Sequence, residues 1–338
     1  MAQAIAIDPD RAEAPDASAP AQPGQSQNGP FLVIANEASG TNARDSDAIR
    51  RALAVLEEAG ARLRHWSPGD DRALNAILEE EIAAGVRTVV AAGGDGTAMA
   101  LADAMAGRDA ALAVLPLGTF NYFARGLGLS ETPEEAARAL LGAERRAIRV
   151  GAVNGQIFLN NASLGIYPSI LKEREDVYRR FGRRRLMAHW SVLRTFWRFQ
   201  RPMQLTLTLA DGRRRSYRTP LLFVARSAYQ LERFHLAGAE AIQRDHLALL
   251  IGRGHSRAAL FRLAWRLVTR TMQEGRDYHL VEAERVRVET ARRRPLLAFD
   301  GEKRRDRSPF DFAMADQPLT ILLPAARREA GLPPDKAA

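Results

Sequence analysis

The clearest chemical signal in the sequence is the glycine-rich stretch at residues 89–99. Small and β-branched residues precede Gly93-Gly94-Asp95-Gly96-Thr97, and helical apolar spacing runs from Thr97 to Met105. A strand, a glycine loop and a helix start suit a phosphate, because glycines admit the anion and the first N–H groups of the helix point at it. The carboxylate of Asp95 would repel a phosphate unless a divalent cation or a hydroxyl lay between them. The stretch predicts a magnesium–nucleotide site, and a plain turn between strand and helix is the alternative.

The glycine stretch does not match either of two familiar phosphate-binding motifs. A dinucleotide fingerprint needs a third glycine where Met99 stands, and a Walker loop needs a Gly-Lys-Ser/Thr that the sequence lacks.

A second loop, at residues 116–128, is also a candidate for ligand binding. It offers the unhindered backbone of Gly118, the hydroxyl of Thr119 and the amide of Asn121. Capping of the following helix and contact with a nucleotide are both open interpretations of this loop.

The elements that must position these loops alternate between short apolar strands and amphipathic helices. Strands are predicted at 31–35, 61–66, 89–92 and 111–115, and helices at 46–59, 71–84, 97–105 and from Pro133 onward. This order predicts a doubly wound α/β domain at residues 31–150, with a parallel sheet covered on both faces. Ligands of such sheets bind beyond the carboxyl ends of the strands, where the polar loops fall.

The pattern changes after Val150. An Asn154-Gly155 turn divides two short apolar runs, residues 205–209 alternate before Asp211-Gly212, and the last apolar run is at 319–323. We therefore expect a mostly antiparallel β domain at residues 151–325. Residues 1–30 are rich in Ala, Pro, Gln and Ser and are expected to form a disordered tail, and residues 326–338 a C-terminal tail.

Composition narrows the class of partner. The 338 residues are enough for two domains, and the net charge of +9 favours nucleotide, nucleic acid or an anionic membrane surface. The absence of cysteine excludes disulfides and thiolate metal sites and favours a reducing compartment. The histidines lack the spacing of zinc ligands. No secretory signal or membrane-spanning segment is expected, since arginine and lysine interrupt the apolar runs.

Four motifs in order resemble the catalytic domain of the diacylglycerol kinase family, which includes bacterial lipid kinases and sphingosine kinases. They are Asn36-x-x-Ser39-Gly40, Gly93-Gly94-Asp95-Gly96-Thr97, Pro116-Leu117-Gly118-Thr119-x-Asn121-x-Phe123-Ala124-Arg125 and Asp300-Gly301-Glu302. The glycine motif alone also occurs in NAD kinases and, in related form, in phosphofructokinases, and the Gly-Thr-x-Asn loop separates the lipid kinases from them. The resemblance covers residues 31–325. It implies a phosphofructokinase/NAD kinase-like first domain, a β-sandwich second domain and an active site in the cleft between them.

The resemblance also implies roles for single residues. Asp95 would organise the magnesium network, and Glu302 would be the general base that takes the proton from the attacking lipid hydroxyl. A hairpin turn is the alternative interpretation of Asp300-Gly301-Glu302. The residues implied to bind ATP are Asn36, Ser39, Gly40, Gly93, Gly94, Asp95, Gly96, Thr97, Gly118, Thr119 and Asn121.

The function expected from this resemblance is an ATP-dependent lipid kinase. It would use Mg²⁺ to transfer the γ-phosphate to a hydroxyl of diacylglycerol or a related membrane lipid, and it would be cytoplasmic with peripheral contact at the inner membrane face. An NAD kinase-like enzyme and a non-catalytic lipid- or nucleotide-binding pseudokinase are the alternatives. Nucleic acid is not an expected partner, because no recognition motif accompanies the arginines.

The sequence departs from the family pattern at three places. Residues 161–168 lack the acidic residue that would support the metal and water network, and residues 223–227 lack the usual Gly-Asn or Asn-Asn. Asp245-His246-Leu247 stands in place of Asp-Gly-Leu. The resemblance implies a structural Mg²⁺ held there by Asp245 and the carbonyls of Ile242 and Leu247.

Two basic stretches that also contain apolar residues are candidates for contact with a membrane. Residues 179–185 lead into an aromatic helix, and residues 256–272 place Arg262, Arg266 and Arg270 on one helix face, with Leu260, Ala264, Leu267 and Val268 on another. A basic helix with a broad apolar face suits an anionic bilayer. The alternative is an apolar face turned to the core with the arginines in water.

Overall fold

The computed structural model describes residues 28–36, 46–118, 120–168 and 202–324. Its first elements are β1 (Phe31–Asn36), α1 (Ser46–Glu58), β2 (Arg62–Trp66), α2 (Asp71–Ala83), β3 (Thr88–Gly93), α3 (Asp95–Met105), β4 (Ala111–Pro116), α4 (Tyr122–Gly126), α5 (Pro133–Leu141) and β5 (Glu144–Ile148). The predicted strands and helices of this part are confirmed, with boundaries that differ by one or two residues.

The later elements are mostly strands. They are β6 (Gly151–Val153), β7 (Gln156–Phe158), β8 (Asn161–Gly165), β9 (Met203–Leu209), β10 (Arg214–Thr219), β11 (Leu221–Ala225), α6 (Ala228–Arg233), α7 (Ala239–Gln243), β12 (Leu247–Gly252), α8 (Arg257–Val268), β13 (Tyr278–Ala283), β14 (Arg285–Thr290), β15 (Leu296–Phe299), β16 (Glu302–Arg305), β17 (Phe310–Met314) and β18 (Leu319–Leu323).

The first sheet has six strands in the order β2-β1-β3-β4-β18-β5. All neighbours run parallel except β5, which lies antiparallel to β18 at the edge. Every residue of β3 and of β4 is buried, which requires cover on both faces of the sheet. The predicted doubly wound α/β domain is confirmed, and it brings the carboxyl ends of β3 and β4 side by side.

The chain ends differ from the prediction in two details. Strand β18 was expected in the second domain, but Ile321 pairs in parallel with Leu112 of β4, so the strand completes the first sheet. Its apolar pattern fits a buried strand in either domain, and only long-range pairing decides between them. Asn28, placed in the predicted tail, is buried, and its carbonyl accepts a hydrogen bond of 2.6 Å from Thr88 Oγ1.

The second domain is built from two six-stranded antiparallel sheets. Their orders are β10-β9-β14-β17-β6-β7 and β13-β12-β11-β8-β15-β16. Leu207 and Phe312 of one sheet and Leu164 and Leu249 of the other belong to one continuous cluster of buried apolar side chains. The sheets therefore share a core, and the predicted antiparallel β domain is confirmed.

Candidate active site

The two predicted glycine loops touch each other through their backbones. Gly94 caps α3 after β3, and Gly118 follows β4, the neighbouring strand. A Cβ built on Gly118 would stand 2.5 Å from the Cα of Gly94, and one on Gly94 would stand 3.2 Å from the Cα of Gly118. Glycine is required at Gly118 because the space for a side chain is filled by the backbone of the other loop.

Asp95 links the glycine loop to the second loop. It lies in the first turn of α3, and its Oδ1 accepts a hydrogen bond of 3.0 Å from the backbone N–H of Phe123 in α4. Among the described residues, no hydrogen bond reaches its other carboxylate oxygen. The carboxylate is thus held by one oxygen and can offer the second to a ligand.

Asn121 shapes the second loop. Its Oδ1 accepts from the N–H of Gly118 at 2.9 Å, and its Nδ2 donates to the carbonyl of Gly118 at 2.8 Å. The residue has a left-handed backbone, with φ of 48°, and its side chain makes no capping bond to α4. Asn121 therefore stands at the N-cap position of α4 without capping the helix through its side chain, and a contact between Asn121 and a nucleotide stays a prediction.

Thr97 and Asn36 meet behind the glycine loop. Asn36 Nδ2 donates to Thr97 Oγ1 at 3.2 Å, and Thr97 is buried. A Cβ on Gly93 would overlap the Thr97 hydroxyl, so this glycine makes the room that Thr97 occupies. The end of β1 is thereby joined to α3.

Some predicted residues lie outside the described part of the chain. Ser39, Gly40 and Thr119 are among them, as are the basic stretch at 179–185, most of the predicted N-terminal tail and the predicted C-terminal tail.

The Asp300-Gly301 turn belongs to this site although it comes from the second domain. Strands β15 and β16 are joined by Asp300 and Gly301, with φ of 47° and 92°, so the hairpin interpretation is right for the local structure. The turn also brings Glu302 to the glycine loop, since its Oε1 lies 4.0 Å from where a Cβ on Gly96 would stand. The local fold and a functional role are therefore compatible.

A cradle of backbone amides holds Asp300. The N–H groups of Leu159, Asn160 and Asn161 donate to its carboxylate at 2.5, 2.8 and 3.1 Å. The pKa of Asp300 is raised to about 6, chiefly by burial and also by the nearby charge of Asp95, while the three amides oppose the rise. Backbone donors carry no side-chain signal, so the sequence could not have indicated this cradle.

The oxygen atoms around Asp95 would suit a Mg²⁺ ion that arrives with a nucleotide. Carboxylates are the hard ligands that this ion prefers, and Asp95 and Asp300 place two close enough to influence each other. Asn160, whose backbone N–H donates to Asp300, has a buried side-chain Oδ1 without a hydrogen-bond partner among the described residues. Within that part of the chain, no group of three or more His, Cys, Asp or Glu side chains could hold a metal alone. Phosphate oxygens would have to complete the coordination.

The residues implied to hold a structural Mg²⁺ fit an ion poorly. Asp245 Oδ1 accepts a hydrogen bond of 2.8 Å from Arg226 Nη2, and the carbonyl of Ile242 accepts one of 3.1 Å from Arg226 Nη1. Leu247, the third predicted ligand, is the buried first residue of β12. Two of the three predicted ligands thus already bind a cationic side chain.

No helix among the described residues is both long enough and apolar enough to cross a bilayer.

Comparison with known proteins finds a family model that resembles the first domain. Residues 30–153 match the model of the diacylglycerol kinase catalytic domain. A Pseudomonas aeruginosa protein named probable lipid kinase YegS-like is 49% identical over 125 residues, which cover 36% of this chain and 40% of the relative. A Chromohalobacter salexigens protein of the same name is 33% identical over 184 residues, 52% of this chain and 57% of the relative. The chain thus matches less than two thirds of the length of either relative.

Solved structures match over a longer span. A crystal structure of a diacylglycerol kinase from Bacillus anthracis aligns with a TM-score of 0.58 and 17% identity, covering 88% of this chain and 97% of that one. Another structure from the same strain aligns with a TM-score of 0.63 and 18% identity over the same shares. At these identities the likeness concerns the fold. The resemblance to the diacylglycerol kinase family is confirmed over residues 30–153, which contain three of the four motifs and whose curated relatives are named probable lipid kinases.

Proposed function

We propose that this protein is an ATP-dependent lipid kinase that transfers the γ-phosphate to a hydroxyl group of diacylglycerol or a related lipid. The observation that carries the proposal is the approach of Glu302, from the second domain, to Gly96 in the glycine loop of the first. Phosphoryl transfer to an alcohol needs groups that hold the phosphates and a group that takes the proton of the hydroxyl, and the glycine loop and Glu302 could supply these.

Each group has a part in the transfer. The N–H groups at the start of α3 and the glycine backbone around them would bind the phosphates of ATP. Asp95 would hold the Mg²⁺ that enters with the nucleotide, and that ion would neutralise charge on the phosphates. Glu302 would accept the proton of the attacking hydroxyl. Its carboxylate is exposed and has no hydrogen-bond or ion-pair partner among the described residues, so it is available to a substrate.

The acceptor class is proposed from the relatives. Those that align with the first domain are named probable lipid kinases, and the fold resembles that of a diacylglycerol kinase. The expected acidic residue is absent at residues 161–168, where Asn161 Nδ2 donates to Gln230 Oε1 at 2.9 Å. A catalytic test is therefore the decisive one.

The test is a transfer assay with the purified full chain, Mg²⁺ and ATP labelled at the γ-phosphate. Separate reactions contain detergent micelles of diacylglycerol, micelles of a sphingoid base, or NAD. Labelled lipid, absent with Glu302→Gln, would support the proposal. Labelled NAD alone would favour an NAD kinase-like enzyme, and ATP binding without transfer to any acceptor would favour a pseudokinase. Either of these last two results would overturn the proposal.

We further propose that α8 brings the enzyme to its substrate by lying on an anionic bilayer. Leu260 and Ala264 pack against Ile166 and Leu221, which fixes the inward face of the helix. On the outward face Trp265 is 70% exposed and Val268 is 76% exposed. The sequence predicts Val268 on the same apolar face as Leu260 and Ala264, but the side chain of Val268 is exposed whereas those two pack inward.

The charge around the outward face of α8 favours an anionic membrane as its binding partner. Residues 253–277 contain six arginines but only Glu274 and Asp277 as acidic residues. Arg266 turns inward to an ion pair with Asp277, whereas Arg262 and Arg270 are exposed. Exposed apolar side chains beside exposed arginines match the acyl boundary and the phosphates of an anionic membrane surface.

A further inference from the structure

Arg226 lies where the resemblance implies a structural magnesium ion. It follows β11, and its side chain is only 11% exposed. Besides its bonds to Asp245 Oδ1 and the Ile242 carbonyl, its Nε donates to the carbonyl of Arg149 at 3.1 Å. Three oxygen atoms from two separate segments, residues 242–245 and Arg149, thus converge on one buried guanidinium group.

The guanidinium group does at this point what a bound cation would do. It keeps its charge at any physiological pH, and its planar set of N–H donors binds several oxygen atoms at fixed angles. A divalent ion bound by Asp245 and Ile242 would have to displace this group and would be repelled by its charge. The backbone N–H of Arg226 donates to the carbonyl of Asn160 at 2.8 Å, which limits how far the residue can withdraw.

We propose that Arg226 is a built-in cation that replaces a structural divalent ion in the second domain. It holds the turn after α7, where Asp245 has a left-handed backbone with φ of 59°, against the ends of β5 and β11. The fold therefore needs no metal at this point. The proposal concerns folding and ion binding without nucleotide, so it stands apart from the proposed kinase activity.

Hydrogen bonds connect Arg226 to the candidate active site. The N–H groups of Arg226 and Ser227 both donate to the carbonyl of Asn160, and the N–H of Asn160 donates to Asp300 Oδ1 at 2.8 Å. Asp300 begins the turn that carries Glu302. A fixed cation at Arg226 therefore secures the neighbourhood of that turn without the exchange of a bound ion.

The first test uses the unchanged, nucleotide-free full chain. We expect the same melting temperature in EDTA and in millimolar Mg²⁺ or Mn²⁺. We also expect that Mn²⁺ binding, measured by electron paramagnetic resonance, is the same in the wild type and in Asp245→Asn. A bound Mn²⁺ ion that is lost in Asp245→Asn would overturn the proposal, and this measurement does not depend on a destabilised variant.

The second test removes the guanidinium. We expect Arg226→Ala to melt about 4 °C lower in EDTA, since it leaves Asp245 and a buried carbonyl without their partner. Millimolar Mn²⁺ should restore part of that loss, and Arg226→Ala/Asp245→Asn should show no restoration. The matched control is Arg266→Ala, which breaks the ion pair with Asp277 and should lose stability without restoration by Mn²⁺. Unchanged melting of Arg226→Ala, or restoration shared by Arg266→Ala, would contradict the proposal.

Discussion

Glu302 Oε1 lies 4.0 Å from the point at which a Cβ would stand on Gly96. The two residues are separated by more than half of the chain and belong to different domains. Gly96 lies in the first turn of α3, where the backbone N–H groups have no partner within the helix, and Glu302 begins β16 directly after the Asp300-Gly301 turn. A carboxylate beside an anion site is unfavourable for binding alone, and it becomes useful where a proton must be removed from a nucleophile.

Replacing Glu302 by glutamine should therefore affect turnover more than ATP binding. The amide keeps the shape of the side chain but cannot take a proton, so we expect kcat to fall about 10²- to 10⁴-fold. The KM for ATP should change little. The control is Glu284→Gln, an exposed carboxylate between β13 and β14. Equal kcat values for the two variants would show that Glu302 is not the base.

Replacing Asp95 by asparagine removes the negative charge but keeps the oxygen that accepts the hydrogen bond from Phe123. Asparagine Oδ1 can still accept from the Phe123 N–H, so the melting temperature should change by only a few degrees. The affinity for Mg-ATP should fall at least about tenfold, because the negative group that would hold the ion is lost. Differential scanning calorimetry measures the melting temperature and titration calorimetry the affinity, both against Asp103→Asn, an exposed residue of the same helix. Unchanged Mg-ATP affinity in Asp95→Asn would remove Asp95 from the site.

Gly118→Ala tests the contact between the two glycine loops. A Cβ there would meet the Cα of Gly94 at 2.5 Å, and neither backbone can yield as a flexible side chain would. We expect a loss of about 1–3 kcal/mol in the free energy of unfolding together with weaker nucleotide binding. Gly142→Ala is the matched control, because a Cβ on Gly142 would meet nothing within 4 Å. Denaturant unfolding with and without ATP compares the two, and similar results would argue against the contact.

The parts of the site that could be predicted from the sequence are those in which a local backbone requirement selects the residue. The Asp300-Gly301 turn needs two residues with positive φ, and the glycine loop after β3 must begin a helix, so both are visible over a few residues. Their meeting in space follows from the motif order of a known family. Neither loop by itself indicates the other.

The remaining features depend on partners that are distant along the chain. Arg226 reaches Ile242 and Asp245, 16 and 19 residues later, and Arg149, 77 residues earlier. Strand β18 joins the first sheet by pairing with β4 and β5. An apolar run shows that a strand is buried but not which strand lies beside it, and an arginine does not reveal its acceptors.

The raised pKa of Asp300 predicts a loss of stability as the pH rises. Between 3.8 and about 6 the folded state holds the proton more tightly than the unfolded state, so the free energy of unfolding falls through this range. The loss in the free energy of unfolding is complete above the folded-state pKa of about 6, and it amounts to at most about 3 kcal/mol. Denaturant unfolding of the metal-free protein measures it as the difference between the wild type and Asp300→Asn at pH 4 and at pH 7. A difference that does not vary with pH would contradict the assignment.

The outward face of α8 predicts binding to anionic vesicles. Replacing Trp265 and Val268 by serine removes the exposed apolar atoms while Leu260 and Ala264 keep the helix packed against its neighbours. We expect roughly tenfold weaker partitioning in a vesicle sedimentation assay. Arg262→Gln should weaken binding at low salt, because it removes attraction to the lipid phosphates. Arg215→Gln, an exposed arginine of β10, changes the net charge equally and should bind as the wild type does. Equal losses in the two arginine variants would show that total charge, rather than this helix, draws the protein to the membrane.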